Sequence, residues 1–216
     1  MLLRHRGREP VIDSSAFVAP TATLVGDVRI GPRARVMYGA VLDAEASRIE
    51  MGECAIICEH AVLRATAAGG TSRPVLLADH VFVGPHATLL GCHIDRCAYV
   101  ATGVTVLHAA RIGAGGSVAV GALVHGGTVL PEEFFVPPNM VAVGDPVRVH
   151  PPDDPVALGE AVRSTGFARL AFGVEAAWED RITRYEQAAE VRSREFAAHA
   201  DDVVLSRDDQ GVPPVS

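Results

Sequence analysis

Aromatic side chains are scarce in this chain: Phe, Tyr and Trp make up 5% of 216 residues, with a single Trp. Globular cores usually draw bulk from such rings, so this interior must be built from Val, Ile, Leu and Ala. No stretch reaches the ~20 apolar residues of a membrane span. The opening MLLRHRGREP has no apolar run of signal length, and a cytoplasmic protein with no membrane partner is expected. A basic surplus is missing too. With 19 Lys+Arg against 26 Asp+Glu the net charge is -7, which disfavours phosphate-backbone binding and excludes nucleic acid as an expected partner. Cys54, Cys58, Cys92 and Cys97 contain no CxxC pair, and without an export signal they read as reduced thiols rather than a disulfide framework.

What the chain does have is a repeat. Aliphatic residues recur every six positions at Val18, Leu24, Ile30, Val36 and Leu42, then at Met51, Ile57 and Leu63. After a loop around residues 69–74 they continue at Leu77, Val83 and Leu89, slip by one, and run from Ile94 through Val100, Val106, Ile112, Val118 and Val124 to Leu130. The residue four places after an anchor is small, as at Ala22, Ala34, Ala40, Ala55 and Ala61. A period of six fits neither the 3.6 of a helix nor the alternation of a half-buried strand. A stacked three-sided coil satisfies it: eighteen anchors make about six coils, each anchor lying above the one a turn earlier. Gly31, Gly52, Gly84 and Gly113, at the second position, are expected to relieve the backbone there. The fold class expected is mainly β, a parallel β-helix over residues 1–150.

The remainder differs in composition. Pro151, Pro152 and Pro155 end the repeat, and the spacing predicts a short helix over 156–172 broken at Gly166. Val174, Trp178, Ile182, Tyr185, Ala189 and Phe196 form a helical stripe to be buried, with Asp180/Arg184 and Glu190/Arg194 paired on the wet side. A helical extension over 151–200 and a disordered tail over 201–216 are expected.

The stretches AFVAPTATLVGDVRIG, YGAVL, HAVLR, VGPHATLLGCHI, VATGVTVLHAARIG, VAVGALV and VAVGDPVRV together resemble the gamma-class carbonic anhydrase family over roughly residues 12–150. That resemblance implies a left-handed coil, a homotrimer, a C-terminal α-helix along the prism, and a zinc held by three histidines between subunits. The matching positions here are Arg64, Pro85 and Leu90. A guanidinium stays protonated, a proline nitrogen is tied into the chain and leucine has no lone pair, so none replaces an imidazole ligand. Where the family continues YGAVL with Arg-Gly-Asp, this chain has Asp43, Ala44 and Glu45; where it has Gln-Asp, this chain has Cys58 and Glu59. No metal and no other cofactor is expected, nor the zinc-hydroxide route to carbon dioxide hydration.

The expected site is an inter-subunit pocket for a small anionic metabolite. Arg64 supplies a planar fork suited to carboxylate or phosphate, with Asp43, His86 and Tyr38 as further binding residues. Glu59 and Glu45 are the candidate acid and base, and Cys58 the candidate nucleophile. Each has a structural alternative: an ion pair for Arg64, solvated or paired carboxylates, an inert thiol, and rim positions for His60, His80 and His86. A relocated metal site using those histidines stays open. Two other functions are compatible with the residues, a non-catalytic trimeric scaffold and a hexapeptide acyltransferase.

Overall fold

The computed structural model describes residues 1–205. They form a three-sided parallel β-helix, closed at both ends and flanked by three helices. The first face carries eight parallel strands, from Leu2–Arg4 to Val141–Val143, and the other two faces carry seven each. Pairing follows the six-residue frame throughout: Leu24 stands on Leu42, Leu42 on Leu63 and Leu63 on Leu89, while Ile57 stacks on Val83 and Met51 on Leu77. Every one of the eighteen sequence anchors is buried except Val18, which is partly so.

The coil count exceeds the expected six because the ends break the pattern that makes the middle legible. Leu2 and Ile12 are separated by a bridge between His5 and Arg8, yet they pair with Leu24 and Ile30 as a first coil. At the far end Phe135–Val136 and Val141–Val143 add two more flats. About eight turns result.

Most corners are made by a residue in the left-handed region three places after the anchor, with Gly26 and Gly91 two places after theirs. Arg33, Cys54, His60, His80, His86 and Cys97 hold φ between 54° and 60° there, a conformation that costs a side-chain-bearing residue of order 1 kcal/mol. The second-position glycines serve a different end from the one expected. Gly52 is not among the positive-φ residues; a Cβ on it would lie 2.7 Å from the backbone of Ala78. Close approach of successive coils, rather than torsional freedom, fixes glycine at this position. The small fifth residue is enclosed, with Ala34, Ala40, Ala55 and Ala61 fully buried.

Beyond the β-helix come α1 (Pro155–Ser164), α2 (Phe167–Phe172) and α3 (Arg181–Phe196). Asp154 and Asp180 cap α1 and α3 by accepting from Ala157 and Thr183 backbone N–H groups, and Gly166 at φ 58° breaks the first pair as expected. The orientation of α3 is the reverse of the expected one. Ile182 and Tyr185 are exposed, whereas Arg184 is buried. Neither wet-side pair forms between side chains: Arg184 donates to the Ala177 and Trp178 carbonyls, and Arg194 to the Glu190 carbonyl. The expected disordered tail begins with a strand, Val203–Leu205, paired antiparallel with Leu2–Arg4; the rest of that stretch lies outside the described residues. Among them no helix is long and apolar enough to cross a membrane, and all four cysteines are free.

Because each anchor touches anchors in the coils above and below, a hole in one stack cannot be filled by lateral collapse. Leu63→Ala, at a fully buried position, is expected to cost about 2–5 kcal/mol, measurable as a lowered urea midpoint.

Candidate functional site

The ends of three neighbouring flats on the first face supply the chemistry. Strand register sets Asp43 beside Arg64, and Arg64 beside Leu90. Each follows a buried anchor, so alternation turns its side chain out of the core. The C-terminal segment then covers them. Arg192 of α3 reaches back to Glu45 with both terminal nitrogens, at 2.9 Å from Oε2 and 2.5 Å from Oε1, and also binds Thr66 and Glu195. Phe196 lies under both guanidinium groups, at 5.2 Å from Arg64 and 4.2 Å from Arg192.

The result is a covered ion-pair cluster. Asp43 and Glu45 are 5% and 7% exposed. The Arg64 Nε lies 3.3 Å from Glu45 and 3.5 Å from Asp43 but makes no aligned hydrogen bond, so that contact is chiefly electrostatic. Its terminal nitrogens have no partner among the described residues, and its side chain is 35% exposed. Glu45 itself sits at φ 44°, its backbone N–H donating to Asp43.

The other expected site residues lie elsewhere on the prism. Cys58, Glu59 and His86 are at the corner following the Ile57 and Val83 anchors, and Tyr38 is at the same corner one coil earlier. Pro85 is there too, at the opposite end of the flat from Leu90. Within one chain, therefore, Arg64 gathers Asp43 and Glu45 but not Glu59, Cys58, His86 or Tyr38. His60 and His86 stack at 5.3 Å as successive corner residues. The Glu59 side chain has no partner among the described residues. Burial and the neighbouring Glu59 charge push the Cys58 thiol upward, away from the thiolate a nucleophile needs.

The expected zinc positions do not fit that ion. Arg64 and Leu90 are neighbours carrying a cation and an isobutyl group, and Pro85 offers no donor. One set of ligand-type side chains does converge among the described residues, His5, His199 and Asp202. The set is already satisfied. Both imidazole Nδ1 atoms hydrogen-bond to Asp202, the rings stack at 4.3 Å, and Arg6 donates into His5 Nε2 at 3.2 Å. Burial raises the Asp202 carboxyl, but hydrogen bonds from His199 and His5 more than offset this and hold it below its ordinary value. This cluster ties the C-terminal segment to the first coil.

No local spacing singles out Arg192 or His199, and the repeat predicts His108 to be an edge residue, which it is not. The first two act across more than a hundred residues of chain. His108 is buried against Phe167 and Phe172 with Nδ1 unpartnered. Burial, with help from the Arg73 and Arg192 charges and against Glu45, lowers its pKa to about 4.

The architecture defines a β-helix protein of the hexapeptide-repeat class. Sequence relatives narrow this, and the chain is gamma-carbonic-anhydrase-like. It is similar to gamma carbonic anhydrase 1, mitochondrial, of Arabidopsis thaliana, 32% identical over 138 residues covering 60% of this chain and 50% of that protein. Gamma carbonic anhydrase 3, mitochondrial, of the same plant is 37% identical over 48% of this chain and 43% of its own length. A carbonic anhydrase of Geobacillus kaustophilus is 28% identical over 53% of this chain and 61% of its own. The chain thus spans about half the length of the first two. No family model matches. A solved structure of a Bacillus cereus putative acetyltransferase covers 92% of this chain and 96% of its own, at 24% identity and a TM-score of 0.49; at that level it bears on neither substrate nor chemistry.

A histidine held neutral by burial binds fewer protons than its unfolded counterpart between pH 6.5 and about 4. Stability therefore falls as pH drops through that window, by roughly 3 kcal/mol at its acid end for this group. Urea midpoints at pH 7 and pH 4.5 are expected to differ measurably less in His108→Leu than in the parent.

Proposed function

We propose that the chain assembles as a homotrimer that binds a small anionic metabolite at Arg64, in the cleft between protomers, without a catalytic zinc. One observation carries this reading: the two halves of the expected site occupy opposite ends of one face, Arg64 and Leu90 at one and Glu59 and Pro85 at the other. A single chain cannot bring them together, whereas a neighbouring copy can. The face that carries Ile56, Phe82 and Tyr99 favours such packing, because these residues form a ladder on its outer side and Phe135 follows beyond Ser117, with Tyr99 47% and Phe135 56% exposed. Tyr38 and Val120 continue the apolar surface round the corner, at 49% and 50% exposure.

Arg64 is suited to the anion because its terminal nitrogens are unengaged, while Asp43 and Glu45 fix its stem from behind. Glu45 is held by Arg192, so the free carboxylate left for proton transfer is Glu59. With Cys58 a resting thiol, the chemistry open to the pocket is acid–base and metal-independent. The scaffold reading has one observation in its favour. Asp43 and Glu45 already neutralise Arg64 in part, and a buried pair of this kind is often only structural.

The purified protein is expected to sediment as three chains, to contain far less than stoichiometric zinc and to lack carbon dioxide hydration. Calorimetric titration with small carboxylates and phosphates should yield binding that Arg64→Ala weakens at least about tenfold. Stoichiometric zinc with hydratase activity overturns the reading. Loss of trimer and of stability without any anion binding favours the scaffold.

A further inference from the structure

The cluster at Arg64 does not account for the other buried guanidinium of the C-terminal segment. Arg184, 6% exposed, lines a cavity of about 540 Å³ between the α1–α2 junction and α3. The walls include Val162, Phe167, Phe172, Val174, Trp178 and Tyr185. Volume and apolar lining both lie in the range of small-molecule sites.

Arg184 has no counter-ion among the described residues. Its Nη1 donates to the Trp178 carbonyl at 2.7 Å and the Ala177 carbonyl at 3.4 Å, and the guanidinium is flanked by the Trp178 and Tyr185 rings at 4.9 and 5.1 Å. No carboxylate lies within ion-pair distance among the described residues, and Nε and Nη2 have no partner there. Of the other two arginines of the lining, Arg163 pairs with Glu179, and Arg169 lies 4.0 Å from Glu175 with both side chains largely in solvent. A guanidinium is costly to bury without an opposite charge, and ring faces compensate only in part.

From this geometry we infer that the cavity is a binding site for a small organic monocarboxylate, its acid group on Arg184 and its apolar body between Phe167, Phe172 and Trp178. One uncompensated cation matches one negative charge, so a phosphate dianion would be left half-neutralised among apolar walls. The pair of donors left free on Nε and Nη2 matches the two oxygens of a carboxylate. The site is distinct from Arg64, and nothing in it depends on assembly or on the zinc positions.

Trp178 is the chain's single tryptophan, so fluorescence of the full protein under tryptophan-selective excitation reads this cavity alone. The probes are cyclohexanecarboxylate and its neutral isostere, cyclohexanecarboxamide. The expected result is a saturable fluorescence change with the carboxylate at concentrations up to about 10 mM, at least about tenfold weaker with the amide, and a comparable weakening in Arg184→Gln. Equal responses to acid and amide, or no saturable response to the acid, overturn the proposal. If Arg184→Gln does not fold, Ala188→Phe decides, since it fills the cavity from its wall and leaves Arg184 in place: lost response at an unchanged melting temperature supports the site, and retained response overturns it. Because Arg64→Ala is expected to leave this signal unchanged, its failure is distinguishable from failure of the inter-subunit site.

Discussion

The structure depends on the vertical contact of one aliphatic residue with its counterpart a turn away. Parallel strands in successive coils are held at the spacing of a β-ladder, about 4.8 Å, and each anchor fills that interval without room for a ring. Everything else yields to this spacing. Gly52 and Gly113 lack side chains because the next coil's backbone occupies the Cβ position. The fifth-position alanines are enclosed because the corner folds over them, and non-glycine residues such as His60 and Cys97 accept positive φ at the corner because the turn must be made in three residues. Scarcity of aromatics is the compositional trace of the same constraint, and the rings that exist lie on outer faces or under the helices.

Periodicity made the coil legible, down to the register of each anchor pair, because one repeated contact generates the whole prism. It failed where the repeat is interrupted. Leu2 and Ile12 belong to the first coil but are ten residues apart, and no six-residue frame joins them. The stripe on α3 failed for another reason: helical spacing identifies an apolar face but not which face finds a surface. Here the surface offered is charged, the exposed ends of Asp43, Glu45 and Arg64, and α3 meets it with Arg192 and Glu195 while Ile182 and Tyr185 face outward.

The candidate site was legible in kind and not in arrangement. That a guanidinium, a proline and a leucine cannot hold zinc follows from residue chemistry alone. That Glu45 is engaged by Arg192, and Asp43 approached by His199, depends on a helix arriving from well over a hundred residues away. Sequence spacing carries no information about such a meeting. The flanking helices together explain why His108 is neutral, since burial under Phe167 and Phe172 of α2 removes water while Arg192 of α3 and Arg73 add positive potential.

Inward-facing charge on α3 has a consequence for what the molecule can bind. Asp43, Glu45 and Arg192 form a nearly balanced set around Arg64. A balanced, covered set holds structure together and leaves only the outer nitrogens of Arg64 to meet a ligand. Two turns earlier on the same helix, Arg184 is buried with no carboxylate within ion-pair distance among the described residues. Desolvation disfavours an isolated charge more than a paired one, so an anion would offset more at Arg184 than at Arg64. The two proposed anion sites therefore rest on independent physical grounds, one on the prism and one on the helices that flank it.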